Sequence, residues 1–238
     1  MNRILQTLSQ KWPEYLLEIL VLIIGIYGAF ALDEWKEESA KQKSEIALIK
    51  NLKKEFEGNL ERFDAGFFKQ KIRNNAVHIL LSNEPESLGL ERLDDLMDTI
   101  IWGQTFDPSM GVYNSVINSG KIDLISNEDL RIRLAGFESL FQDYREEEQL
   151  TYVYAQSKIE DFIVKSYPNR PLGKYRTVEE YPELFTELIG IAKSQEYRNL
   201  LILLDGYLIS IMDEGALLRK EYIDIINDLN KELINFSQ

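Results

Sequence analysis

Hydrophobic positions along the chain fall into two kinds of stretch. From Tyr15 to Leu32 nearly every residue is apolar, with Glu18 as the single charge. Elsewhere apolar residues return every three or four positions, the spacing that lines one face of an α-helix. Ile49, Leu52, Phe56, Leu60, Phe63 and Phe67 keep that spacing, so the membrane-like helix is expected to continue as a stalk towards residue 80, where Ser82-Asn83-Glu84-Pro85 stops it. A second helix is predicted over Leu90–Trp102, with a loop from Gly103 to Pro108. Pro108 or Ser109 then opens a short helix that Gly120 ends in a left-handed cap, and Ile122–Ile125 reads as a brief extended link.

Ser126 is expected to cap the next helix at its N-terminus, with Asp129 reaching back; Leu130, Leu134, Phe137, Phe141 and Tyr144 mark its buried face as far as Tyr167. Pro168 and Pro171 end it, residues 168–181 form a loop, and Pro182 opens a short helix to Lys193. A last long helix covers Gln195–Asn235, where Leu201, Leu204, Leu208, Ile211, Gly215, Leu218, Tyr222, Ile225 and Leu229 alternate by three and four. No alternation of strands with helices, internal repeat or low-complexity tract is visible. The expected class is all-α, an N-terminal transmembrane helix continuing into a long-helix bundle. Its parts are a short tail (1–14), the transmembrane helix (15–34), a helical stalk (35–81) and a bundle (82–238) that the stalk completes.

The flanks of the apolar stretch support a span. Strictly uncharged residues run only from Ile19 to Leu32, which is short for about 30 Å of hydrocarbon. Trp12 and Trp35 stand roughly 34 Å apart along a helix, so each indole can sit at one interface as an anchor. Pro13 suits a first helical turn. Ala29-Phe30-Ala31 has the form of a signal-peptide cleavage site, but the helical pattern runs through it without the extended stretch that cleavage needs. An uncleaved single-pass anchor is the expectation. Glu18, Leu22, Gly25, Ala29, Leu32 and Lys36 are spaced 4, 3, 4, 3 and 4, one stripe with a small-x-x-x-small pair that allows close helix packing. Self-association through this stripe is expected, since a carboxyl is better placed against a partner helix than against lipid.

Charge changes the picture once it is divided. Net charge is −13, yet Arg3 and Lys11 cancel Glu14 and Glu18, so the whole excess lies in residues 33–238. Such an acidic body repels a phosphate backbone, which makes nucleic acid an improbable partner. The chain has no cysteine and one histidine, which removes thiol chemistry, disulfides and multi-histidine metal centres. No cofactor is implied. The acidic clusters, among them Asp94/Asp95/Asp98 and Glu146-Glu147-Glu148, lack the alternating spacing and glycine of a calcium loop; they read as solvated faces, and no metal site is expected. Lys and Arg are nearly balanced across the span, with a slight lean towards a cytoplasmic N-terminus and an extracytoplasmic domain.

The stretch from Trp12 to Glu37 and the pattern Tyr113-x5-Ser119-Gly120-x4-Ile125-x-Asn127-x-x-Leu130 together resemble an uncharacterised family of bacterial single-pass membrane proteins, domain of unknown function 6090. The resemblance implies the inner membrane of a bacterium and a helical extramembrane domain, with no reaction attached.

Two chemical constellations remain. Arg73-Asn74-Asn75-Ala76-Val77-His78 is similar to the Arg-Asn-x-x-x-His signature of the HEPN ribonucleases, in which arginine contacts phosphate and histidine moves the proton. Trp102, Phe106 and Tyr113 form an aromatic group beside Asp107 where the pattern leaves helix, a candidate ligand or partner loop against the plainer reading that it packs on the bundle. The leading functional expectation is a membrane-held, self-associating interaction, scaffold or sensor module, with lipid, a second copy and a protein as partners. The alternatives are a pore-forming or membrane-disrupting effector and an anchored nuclease using Arg73 and His78.

Overall fold

The computed structural model describes residues 2–101, 103, 105–166 and 183–236, the side chains of 2–11, 13–15 and 184 excepted. Among them every regular element is helical: α1 (Asn2–Ser82), α2 (Pro85–Leu88), α3 (Leu90–Ile101), α4 (Gly111–Asn118), α5 (Glu128–Tyr154), α6 (Asp161–Ser166), α7 (Leu184–Lys193) and α8 (Gln195–Asn235). A 3-10 turn at Lys121–Leu124 follows α4, and a π-helical segment, Ala155–Glu160, joins α5 to α6. The expected loop 168–181, with Pro168, Pro171 and Pro182, lies outside the described residues.

The chain forms two compact units, Met1–Ile49 and Lys50–Gln238, and α1 contributes to both. In the first unit the helix starts at Asn2, well before the Pro13 turn that the sequence suggested. From Leu16 to Glu38 its side chains are exposed, Leu22 at 64% and Phe30 at 71% among them.

In the second unit three long helices carry the core. Phe56 and Phe63 of α1 meet Phe137 and Tyr144 of α5 at centroid separations of 4.9 and 5.2 Å, so the two helices run parallel with a constant offset. The α8 helix runs antiparallel to both. Asp64 pairs with Arg219, Phe67 lies against Gly215 and His78 faces Asp205, which traces the α1–α8 register. Asn127 donates to Glu232 and the Tyr154 hydroxyl to the Leu200 carbonyl, which traces the one between α5 and α8. Tyr222 of α8 sits between Phe56 and Phe137, 5.6 and 5.0 Å away. Each such aromatic pair adds about 0.5–1.5 kcal/mol beyond the area it buries.

Most boundaries fall where the periodicity and breakers put them: α1 ends at Ser82, Pro85 opens α2 at its first position, and α8 has the predicted limits with Ser194 capping its Tyr197 amide. Four details differ. The link expected as extended is a 3-10 turn, because Gly120 is left-handed (φ 71°) and its carbonyl, with that of Ile122, accepts from Asp123 and Ile125. Asn127, not Ser126, caps α5, accepting from Leu130 N at 3.0 Å while its amide reaches Glu232. The helix after it does not run evenly towards Tyr167, since the π segment inserts a wider turn after Tyr154. Leu60 is only half-buried; Asn59 takes the inward position beside it, 1% exposed.

Gly215 sets how closely α1 and α8 approach. A Cβ built there would lie 2.3 Å from the Phe67 ring, which is itself stacked on Phe63 and overlain by Lys71. Gly215→Ala should therefore lower unfolding stability by about 1–3 kcal/mol, despite alanine's better helix propensity. Adding Phe67→Leu should recover part of the loss in denaturant titrations; strictly additive single and double variants would show that the two residues do not clash.

Candidate functional site

Where the chain leaves helix after α3, its backbone groups need partners, and distant helices supply them. Glu55 of α1 accepts from the Val112 and Tyr113 amides at 2.8 Å each, placing a carboxylate at the positive N-terminus of α4. One turn on, Asn59 makes a reciprocal pair with Ser109, donating to its carbonyl at 2.7 Å and accepting from its amide at 2.9 Å. These bonds delay the helix to Gly111 rather than Pro108 or Ser109, because the cap comes from α1 and not from the local sequence. Glu148 of α5 accepts from the Phe106 amide at 2.6 Å and from the Tyr144 hydroxyl at 3.0 Å.

Phe106 and Tyr113 are thereby held in the aromatic core, 7% and 3% exposed, and the Tyr113 hydroxyl donates to the Leu134 carbonyl. Asp107 is exposed and Trp102 lies outside the described residues. Of this group, Phe106 and Tyr113 pack into the bundle.

Beneath it lies a group of buried polar side chains. Burial pushes the Glu148 carboxyl above the usual carboxylate range, opposed by the hydrogen bonds from Phe106, Tyr144 and Gln70. Tyr144 is likewise driven up, by burial first and by the nearby Glu148 charge second. Arg73 is 2% exposed, and burial brings its pKa down to about 10, so it stays cationic at neutral pH. Its Nε donates to the Ile100 carbonyl at 2.8 Å, satisfying the C-terminal end of α3, while Nη1 and Nη2 are buried without a hydrogen-bond partner.

His78 is elsewhere. Its side chain is half-exposed and faces Asp205 at 3.6 Å. Five residues apart on one helix, Arg73 and His78 point about 140° from each other, so the structure does not bring the nuclease-like pair together. Glu18, Leu22, Gly25, Ala29 and Leu32 are exposed on α1, with nothing within 4 Å of a Cβ built at Gly25; Trp12 and Trp35 are exposed at 59% and 68%. Among the described residues no cluster of three His, Asp or Glu side chains is arranged to hold a metal. An open groove of about 630 Å³ between α5 and α8 is spanned by Arg133, which pairs with Glu221, Asp224 and Asp228.

Sequence reasoning overlooked Glu55, Asn59 and Gln70, and read Glu148 as part of a solvated acidic run although it is buried. The last three carry a readable signal, since each stands in phase with the buried stripe of its helix.

These features define an all-helical protein in which, among the described residues, one helix is long and apolar enough to cross a membrane. The chain belongs to a family of unknown function, DUF6090, whose sequence profile matches residues 18–155. That span takes in the apolar helix, the Glu55/Asn59 clamp, Arg73 and Glu148. No curated protein and no solved structure matches the chain.

Because the folded state raises the Glu148 pKa, its contribution to stability is full below the ordinary carboxylate pKa near 4.3 and is lost as pH rises through the folded value. Glu148→Gln keeps an acceptor for Phe106 without that titration. Urea midpoints measured from pH 4 to 8 should fall for the wild type relative to this variant as pH rises; parallel curves would show that Glu148 does not titrate differently on unfolding.

Proposed function

We propose that this protein is held in a bilayer by residues 15–34 and presents its acidic helical part as an interaction, scaffold or sensor module. The observation that carries the reading is an 18-residue window near the start of α1 with mean hydropathy 2.1, none of it buried. Covering a leucine or isoleucine side chain is worth about 1.5–3 kcal/mol, so this many exposed together require an apolar surrounding. Hydrocarbon supplies it along the whole circumference of the helix, with Trp12 and Trp35 at the two interfaces. The excess negative charge, confined to residues 33–238, favours water for the remainder. The near balance of Lys and Arg, with a slight lean, favours an extracytoplasmic placement for that part.

Self-association belongs to the same reading. A partner helix seated on Gly25 and Ala29 shields Glu18 from lipid, and the space beside Gly25 is open to receive it. An interaction role is preferred to catalysis because the nuclease-like pair is split between the core and the surface of α1.

Extraction tests the anchor. The full chain should stay with membranes through a high-salt alkaline wash, and a chain lacking residues 1–34 should be released as folded helical protein; release of the full chain would end the proposal. Cross-linking in membranes tests the pairing. Gly25→Leu should reduce the dimer yield severalfold, and an unchanged yield would remove this face from the interface.

A further inference from the structure

Arg73 is a buried cation with one bond. Five N–H donors project from a guanidinium, and here only Nε has an acceptor, the Ile100 carbonyl. The remaining donors on Nη1 and Nη2 are shut away from water and unmatched. An unpaired buried charge is among the least favourable features a fold can keep, and a carboxylate or phosphate group matches the two free nitrogens as a fork.

The obvious internal partner is already committed. Glu148 takes the Phe106 amide on one oxygen and the Tyr144 hydroxyl on the other, with Gln70 as a further neighbour. Burial, not the charge of the other group, moves the pKa of each. Among the described residues no hydrogen-bond partner meets Nη1 or Nη2.

An approach exists at Gly103, in the break after α3. This residue is partly exposed, and a Cβ built on it would lie 3.6 Å from Nη1 and 3.1 Å from the Tyr152 ring. Gly103 puts no side chain of its own over the guanidinium on that side. We propose that Arg73 is the floor of a binding site for a small oxyanion, a carboxylate or phosphate group entering past Gly103 beside Tyr152. All its residues lie between 70 and 152, so the site stands or falls independently of the membrane anchor.

The test uses the full chain in a neutral detergent, with thermal unfolding followed while chloride is exchanged for acetate or inorganic phosphate at constant ionic strength. At least one of these anions should raise the wild-type midpoint saturably, by about 5 °C at high occupancy. Arg73→Met should abolish the response. Gly103→Ala, which narrows the approach and leaves the cation, should raise the half-saturating concentration about tenfold. An equal rise in Arg73→Met, or no rise with either anion in the wild type, overturns the site. Should Arg73→Met not fold, the comparison rests on folded Gly103→Ala, and an unchanged half-saturation is then the overturning result.

Discussion

A loop that leaves helical form inside a helical bundle strands its backbone amides, and the second unit of this protein is organised around supplying them with acceptors. Glu55 and Asn59 stand one turn apart on α1 and between them bind Ser109, Val112 and Tyr113, while Glu148 on α5 binds Phe106. Hydrogen bonds to the carboxylates among these acceptors are worth about 1.5–3 kcal/mol each, enough to hold the loop and the start of α4 where Phe106 and Tyr113 become core. Phe106 then packs edge-on to Phe63 and Phe141, and Tyr113 on Phe56 and Phe137. Polar clamp and aromatic cluster are therefore one device. Apolar burial draws the rings inward and the clamp fixes where they enter, while the rings give the carboxylates a dry surface beside them.

The close packing of α1 on α8 completes that surface. A glycine at 215 lets Phe67 occupy space that any side chain would claim, and the bidentate Arg219–Asp64 pair sits one turn away in the same seam. The pair is partly exposed and contributes little by itself; it fixes which turn of α8 faces which turn of α1. Tyr222 follows one turn later on α8 and reaches both Phe56 and Phe63. Register along this seam decides whether the aromatic cluster is complete.

What could be read from the sequence follows from how local each determinant is. The limits of α8 are set by Ser194 and an unbroken three-four alternation, and the end of α1 by Ser82 to Pro85, all within a few residues. The start of α4 is not local, because its cap is contributed by Glu55 from more than fifty positions upstream. Asn127 displaces Ser126 as the α5 cap for a similar reason, having a second partner in Glu232 on α8. The wider turn after Tyr154 has no sequence signature of its own. Asn59, Gln70, Arg73 and Glu148 were legible in part, as polar residues in phase with buried stripes. The nuclease-like motif matches in spacing; what separates its members is burial, with Arg73 in the core and His78 facing Asp205 at the surface.

Two buried ionisable groups, an acid and a base, sit in this core and meet burial differently. Glu148 has three hydrogen-bonding neighbours and can also take up a proton, so the acid can adjust to its surroundings from within the fold. Arg73 has one acceptor and, with a pKa of about 10, keeps its proton at any physiological pH. The asymmetry is chemical before it is structural: a carboxyl can become neutral over the range in which proteins work, whereas a guanidinium is relieved only by another charge. In a core that already contains a carboxylate, the arginine's isolation therefore reflects placement and not any shortage of acids. Gln70 and the loop amide hold Glu148 towards Phe106 and Tyr144, leaving the terminal nitrogens of Arg73 directed at the break where α3 ends.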